Sequence, residues 1–166
     1  AAENGFGRGL PLEGDNEANW SFMRPLLGNA ALKPSASDVA TATAQAQELL
    51  TLRYSTRLFR LGSAGAIKAK VSFPASGTAD ANPGVIAMRI DDTVGADLDQ
   101  ALRGLVVVFN ATPNPVTQKV PGLAGAALHL SPVQAGGVDP VVKTATWDPA
   151  AGTATVPART VAVFLQ

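Results

Sequence analysis

The sequence predicts a mostly β chain, an antiparallel β-sandwich preceded by a loop-and-helix segment. Three observations point there. The hydrophobic period changes from helical spacing to alternation near Leu61–Gly62. After that point, seven or eight short apolar runs are separated by turn residues and read as strands. One of these runs, Leu105-Val106-Val107-Val108-Phe109, is apolar on both faces, as a central strand must be.

Taken in order, Asn4 to Asp15 holds four Gly and one Pro and reads as an irregular loop. A short helix is predicted from about Glu17 to Leu27, with Asn16 as its N-cap and Pro25 near its end. A stronger helix is predicted from about Ser37 to Tyr54. Pro34 precedes it, Asp38 lies in its first turn, and Val39, Ala42, Ala46, Leu49, Leu50 and Arg53 follow at helical spacing. Beyond Gly62, Ile67, Ala69, Val71 and Phe73 alternate with Ala66, Lys68, Lys70 and Ser72, which predicts a half-buried strand. Further strands are predicted over Val85–Ile90, Leu102–Asn110, Val116–Val120, Ala126–Leu130, Val141–Trp147, Thr153–Val156 and Thr160–Leu165, with no helical inserts. Turn residues fill the intervals, among them Asn82-Pro83-Gly84, Gly136-Gly137 and Asp148-Pro149.

The 166 residues are enough for one domain with a core plus a short appendage. Hydrophobic residues make up 46% and charged residues 16%, a globular composition. Thirteen basic residues balance thirteen acidic ones, so nothing supplies the positive footprint that nucleic acids or anionic membranes require. A neutral partner is expected. With no Cys, thiolate chemistry and zinc–thiolate sites are excluded. The opening Ala1-Ala2-Glu3-Asn4-Gly5 lacks the basic and apolar regions of a signal peptide. It reads either as a cut through a longer polypeptide or as the start of a mature secreted protein.

Residues that could carry chemistry are few. A single His, His129, lies in a predicted strand with no nucleophile elbow elsewhere, so no catalytic triad is expected. Asp91 and Asp92, with Asp97 and Asp99 downstream, form the obvious acidic cluster. Adjacent strand residues face opposite ways, however, so the first two cannot converge on one glycosidic bond and read as a solvated strand end. The four acids also miss the spacing of an EF-hand, and no metal or cofactor is expected in this chain. Gly5-Phe6-Gly7-Arg8-Gly9 matches no phosphate-binding fingerprint. Trp147, ending a strand, is expected at the edge of the core rather than as an exposed sugar platform.

The first half carries a resemblance. Gly7-Arg8-Gly9-Leu10-Pro11, Asp15-Asn16-Glu17-Ala18-Asn19-Trp20, Met23-Arg24-Pro25-Leu26-Leu27 and Ser55-Thr56-Arg57-Leu58-Phe59-Arg60-Leu61 resemble, in that order, a stretch of pullulanases and limit dextrinases of the alpha-amylase superfamily. In the last string Thr56 and Arg57 depart from the family's usual Ser and Pro. Val106–Ala111, His129-Leu130-Ser131-Pro132-Val133-Gln134 and Val156–Phe164 resemble the C-terminal sandwich of the same enzymes.

The resemblance implies the end of a starch-debranching glycosidase acting on α-1,6 linkages of pullulan, amylopectin or limit dextrins. Residues 1–61 would be the last loop and helices of the (β/α)8 catalytic barrel, and residues 62–166 the C-terminal β-sandwich. Retaining hydrolysis needs a nucleophile and an acid about 5–5.5 Å apart. In this family both lie upstream, so neither is assigned to a residue here and this chain alone is expected to be non-catalytic. Calcium is compatible with the parent enzyme. The implied partners are an α-glucan and the upstream barrel. Because the loop after the last strand belongs to the active-site face of such barrels, Asp15, Asn16, Asn19 and Trp20 are the substrate-binding candidates, with Phe6 a further ring for stacking. Two other readings stay open: an independent carbohydrate-binding module, and a structural sandwich that docks on another subunit.

Overall fold

The computed structural model describes residues 9–166. Contacts divide the chain into two compact units, Ala1–Thr43 and Ala44–Gln166.

In the first unit, α1 runs over Glu13–Gly28. It begins four residues earlier than the sequence predicts, which puts Asp15 and Asn16 inside its first turns. Leu12, not Asn16, occupies the N-cap, and it makes no side-chain cap bond. Glu13 and Asp15 in the first turn explain the early start, since carboxylates there meet the positive end of the helix dipole. Pro25 lies in the last turn, where it removes the bond an amide would make to the Ser21 carbonyl, and the helix ends three residues later. After a 3-10 turn over Ala30–Leu32, α2 spans Ala36–Ser55 and continues into the second unit. Its start is a reciprocal capping arrangement. The Asp38 carboxylate accepts from the Ser35 amide at 2.8 Å, and the Ser35 hydroxyl accepts from the Asp38 amide at 3.1 Å. The Ser35 hydroxyl, which donates to the Asp38 carboxylate at 2.7 Å, and the Ser35 amide hold that carboxyl below its ordinary value.

The second unit holds eight strands in two antiparallel sheets. The strands are β1 Val71–Ser72, β2 Val85–Asp91, β3 Gly104–Asn110, β4 Val116–Lys119, β5 His129–Leu130, β6 Thr146–Asp148, β7 Thr153–Val156 and β8 Thr160–Leu165. The five-stranded sheet has the order β1-β2-β3-β8-β5, and the three-stranded sheet the order β4-β7-β6. β3 is the middle strand of the larger sheet, as its two-faced apolar run predicts.

Strand parity explains the core. Ala87, Val106, Val108, Ala162 and Phe164 point to one face and pack with Ala154 and Val156 of the smaller sheet and with Val120 just beyond β4. Ile90, Leu105, Val107, Val163 and Leu165 point to the other face. They pack with Leu52 at the end of α2 and with Leu58 of the following 3-10 turn, Arg57–Arg60. The expected boundary at Leu61–Gly62 therefore differs from the packing unit, which takes in residues from Ala44 on.

Three predicted strands are corrected. Ala64–Lys70 is a helix, α3, and only Val71 and Ser72 pair with β2. Ser63 caps it by accepting from the Ala66 amide at 3.1 Å, and Lys68 and Lys70 sit favourably in its last turn. Seven residues are too few to separate a period of two from one of 3.6. Over Ala126–Leu130 only His129 and Leu130 pair, because Pro132 opens the single-turn helix α4, Pro132–Ala135. Over Val141–Trp147 a 3-10 turn at Val142–Thr144 precedes β6. The sandwich does contain helical inserts.

Backbone also passes close to backbone at Gly152, where φ is +65°. A Cβ there would sit 2.6 Å from the Ala124 nitrogen and 2.9 Å from the Leu123 carbonyl carbon. Backbone cannot yield as a side-chain tip can. Gly152→Ala is expected to destabilise by about 2–3 kcal/mol, read as a lower urea midpoint at unchanged m-value.

Candidate functional site

The sequence candidates lie along one helix. Asp15 and Asn19 are one turn apart on α1 and both are exposed, forming a short polar edge. Asn16 and Trp20 form the neighbouring pair and are half-buried. Both turn back on the segment before the helix. Asn16 Nδ2 donates to the Leu12 carbonyl at 3.2 Å, and Trp20 Nε1 donates to the Pro11 carbonyl at 2.9 Å. The Arg24 guanidinium lies over the Trp20 ring, 5.5 Å from its centroid. The helix thus sorts the four residues into two pairs. Among the described residues no side-chain hydrogen bond engages Asp15 or Asn19, while Asn16 and Trp20 hold Pro11–Leu12 in place. Phe6 and the glycines at 5 and 7 lie outside the described residues.

The acidic cluster is built differently from expectation. Asp91 is at the strand end, paired with Arg89 at 2.8 Å. Asp92 is buried, not solvated, and its Oδ1 accepts from Lys70 Nζ at 2.7 Å. Its Oδ2 accepts from the amides of Leu98 and Asp99 at 3.0 and 2.8 Å. Asp99 in turn accepts from the Thr56 hydroxyl at 2.6 Å. Burial pushes the Asp92 carboxyl up, but the bond from Lys70 and the two amides outweigh it, and the group stays below its ordinary value. Asp91, Asp92 and Asp99 are each engaged by the protein itself. Among the described residues no group of three or more His, Cys, Asp or Glu could hold a metal ion.

The sequence reading missed Lys70, which it places on the polar side of a strand, and three buried amides. Gln134 Nε2 donates to the Val161 carbonyl and its Oε1 accepts from the Val163 amide, both at 2.8 Å. It thereby continues the ladder on β8 where Pro132 ends β5. Asn110 donates to the carbonyls of Asn114, Val156 and Pro157. Gln118 joins Asn82 to Asp80 and Lys119. The signal available was a polar residue inside an otherwise apolar string. Trp147 lies at the core edge as expected, 5.9 Å from Phe164 with its Nε1 bonded to the Ala126 carbonyl. His129 is exposed on the edge strand β5.

Thr56, one of the two departures in the last family string, keeps the hydroxyl its position uses. It caps the Arg57–Arg60 turn by accepting from the Leu58 amide at 3.1 Å. Arg57 stands at the first position of that turn, where proline is also well suited.

The family described as "Alpha-1,6-glucosidases, pullulanase-type, C-terminal" matches residues 1–166. Pullulanase 1, chloroplastic, of Arabidopsis thaliana is 37% identical over 170 residues, covering 99% of this chain and 18% of the relative. A pullulanase of Klebsiella pneumoniae is 34% identical over 164 residues, covering 98% of this chain and 15% of the relative. The crystal structure of a maltotriose complex of PulA from Klebsiella pneumoniae superposes with a TM-score of 0.76 at 33% identity, covering 95% of this chain and 17% of that one. The chain thus spans less than a fifth of the length of these relatives.

The Lys70–Asp92 pair generates a pH prediction. Asp92 titrates lower in the folded chain than in the unfolded one, so its contribution is complete above about pH 4 and is lost as pH falls through the folded value. Lys70→Met strands a buried carboxylate and is expected to cost about 3–5 kcal/mol at neutral pH. Adding Asp92→Asn should recover part of that loss and flatten the acid limb. Urea unfolding of the three proteins between about pH 3 and 7 reads both effects.

Proposed function

The chain belongs to the C-terminal family of pullulanase-type alpha-1,6-glucosidases, and on that premise we propose that it is the non-catalytic C-terminal part of a starch-debranching glycosidase. The parent enzyme would hydrolyse α-1,6-glucosidic linkages in pullulan, amylopectin or limit dextrins. Residues 1–61 would close its (β/α)8 barrel, and the sandwich would stabilise that barrel.

The observation that carries this reading is α2. Twenty residues long, it has one buried residue, Leu52. Leu49 and Leu50 are each 58% exposed, Tyr54 is 64% exposed, and Ala42 and Ala46 continue the open stripe toward the N-terminus. Small residues at one end and bulky ones at the other suit close packing on a further apolar layer. An independent sugar-binding module would instead need a free aromatic platform, and Trp147 is tied into the core.

Within the parent enzyme Asp15 and Asn19 would offer hydrogen bonds to sugar hydroxyls, while Asn16 and Trp20 would hold the preceding segment in position. Neither hydrolytic carboxylate would come from this chain. Any calcium in the parent would be bound by its other parts.

The isolated 166-residue chain is expected to release no reducing ends from pullulan, whereas the intact enzyme does. In the intact enzyme Asp15→Ala and Asn19→Ala should each raise KM about fivefold, the loss of one hydrogen bond to substrate. Ala46→Arg should destabilise the intact enzyme by about 1–3 kcal/mol through overpacking and leave the isolated chain unchanged. Pullulan kinetics and thermal melts read these; unchanged values for all three variants would leave the barrel reading without support.

A further inference from the structure

The outer face of the larger sheet is covered in a graded way. Its rows run across three strands in register: Ile90–Leu105–Leu165, Met88–Val107–Val163 and Ile86–Phe109–Val161. The first row is buried, at 4, 1 and 9% exposure, under Leu52, Leu58 and their neighbours. The last row is open, at 50, 37 and 39%. Cover from α2 and the turn after it stops one row short. At the step between covered and open rows lies an apolar groove of about 170 Å³, lined by Leu49, Leu52, Phe59, Val107, Val161 and Val163, with Arg53 at its rim.

We propose that this groove receives one bulky apolar side chain from a helix of the catalytic part of the same enzyme, with a carboxylate one turn away on that helix meeting Arg53. The proposal rests on the reading of α2 given above. Three observations select this occupant. Leu49 belongs both to the groove and to the exposed stripe of α2, so a layer packed on the stripe continues onto the sheet. The curated relatives extend for more than four-fifths of their length beyond the matched region, and that is where such a layer would come from. Arg53 takes part in none of the three ion pairs among the described residues, so the rim presents a positive charge beside an apolar slot. The groove's volume suits a single ring or branched side chain, since an apolar cavity of about 150 Å³ holds a benzene-sized guest. On a helix, an acid three or four positions from that side chain lies on the same face, within reach of Arg53.

The test uses the intact enzyme with the photoreactive p-benzoylphenylalanine in place of Phe109 and, separately, of Ile86. Proteins whose thermal midpoint matches the parent are irradiated and mapped by mass spectrometry. The expected result is an intramolecular cross-link from both positions to one helix of the catalytic part, at monomer mass. Arg53→Glu should lower its yield, and placing Lys at the acid next to the mapped residue should restore it. Cross-links at dimer mass would overturn the proposal in favour of a second copy, and absence of any protein cross-link would overturn it in favour of an open surface. If Ala46→Arg destabilises the intact enzyme while no intramolecular cross-link forms, the groove proposal fails and the reading of α2 stands. If neither responds, both fail.

Discussion

β3 must be covered twice. Every residue of Gly104–Asn110 except Phe109 is buried, and the strand carries large apolar side chains on both faces of its sheet. Each valine or leucine removed from water contributes about 1.5–3 kcal/mol, so neither face can be left wet. One face is met by the three-stranded sheet. The other is met by Leu52, Leu58, Phe59 and Leu61, residues that precede the first strand. The packed unit therefore begins before Gly62, at Ala44, and the change from helix to strand comes after it, at Val71. A sandwich cut at Gly62 would expose Leu105, Val107 and Val163 together.

The same requirement explains what could be read from sequence. β2, β3, β7 and β8 are recognisable because their alternation, or its absence in β3, reports burial that the fold enforces over four to seven residues. The segments misread as strands are short and amphipathic. Ala64–Lys70 offers a small-residue alternation that serves a helix equally well once Ser63 caps it and Lys70 reaches back to Asp92. That ion pair joins residues 22 apart in sequence, and nothing local announces it. The candidate site was legible as a set of residues but not as an arrangement. Asp15 and Asn19 become one polar edge, and Asn16 and Trp20 an internal brace, only because α1 begins at Glu13.

Buried polar groups fix which arrangement of the strands is adopted. Gln134 presents one side-chain amide to β8 in the register a strand would use, so β5 can end at Pro132 without orphaning Val161 and Val163. Asn110 spends its amide on three carbonyls, one at the end of β7 and one in the turn between β7 and β8. Lys70 and Asp92 fasten the end of α3 to the loop after β2, with the amides of Leu98 and Asp99 taking the second oxygen. Moving any strand by one position would leave these groups unpaired in a low-dielectric core, a penalty of about 1–3 kcal/mol per neutral group and more for the charged pair. Apolar packing alone would not separate the correct register from its neighbours so strongly.

These constraints meet in α2. A helix of twenty residues gains only marginal stability from its own hydrogen bonds, and most of its persistence must come from packing. Within the second unit that packing is confined to its C-terminal end: Leu52 lies against the sheet and Glu48 accepts from the Val138 amide at 2.6 Å. The Glu48 carboxylate fills the space a side chain at Gly137 would need, so the Gly136-Gly137 loop is shaped to the helix. The apolar side chains of its exposed stripe are left for another surface. If that surface is the catalytic barrel, α2 is one rod with two packing obligations, and the sandwich is joined to the barrel by a shared helix rather than by a flexible linker. Loosening the sheet's outer face would then remove support from the barrel's last helix, which gives a non-catalytic sandwich a direct influence on the stability of the catalytic part.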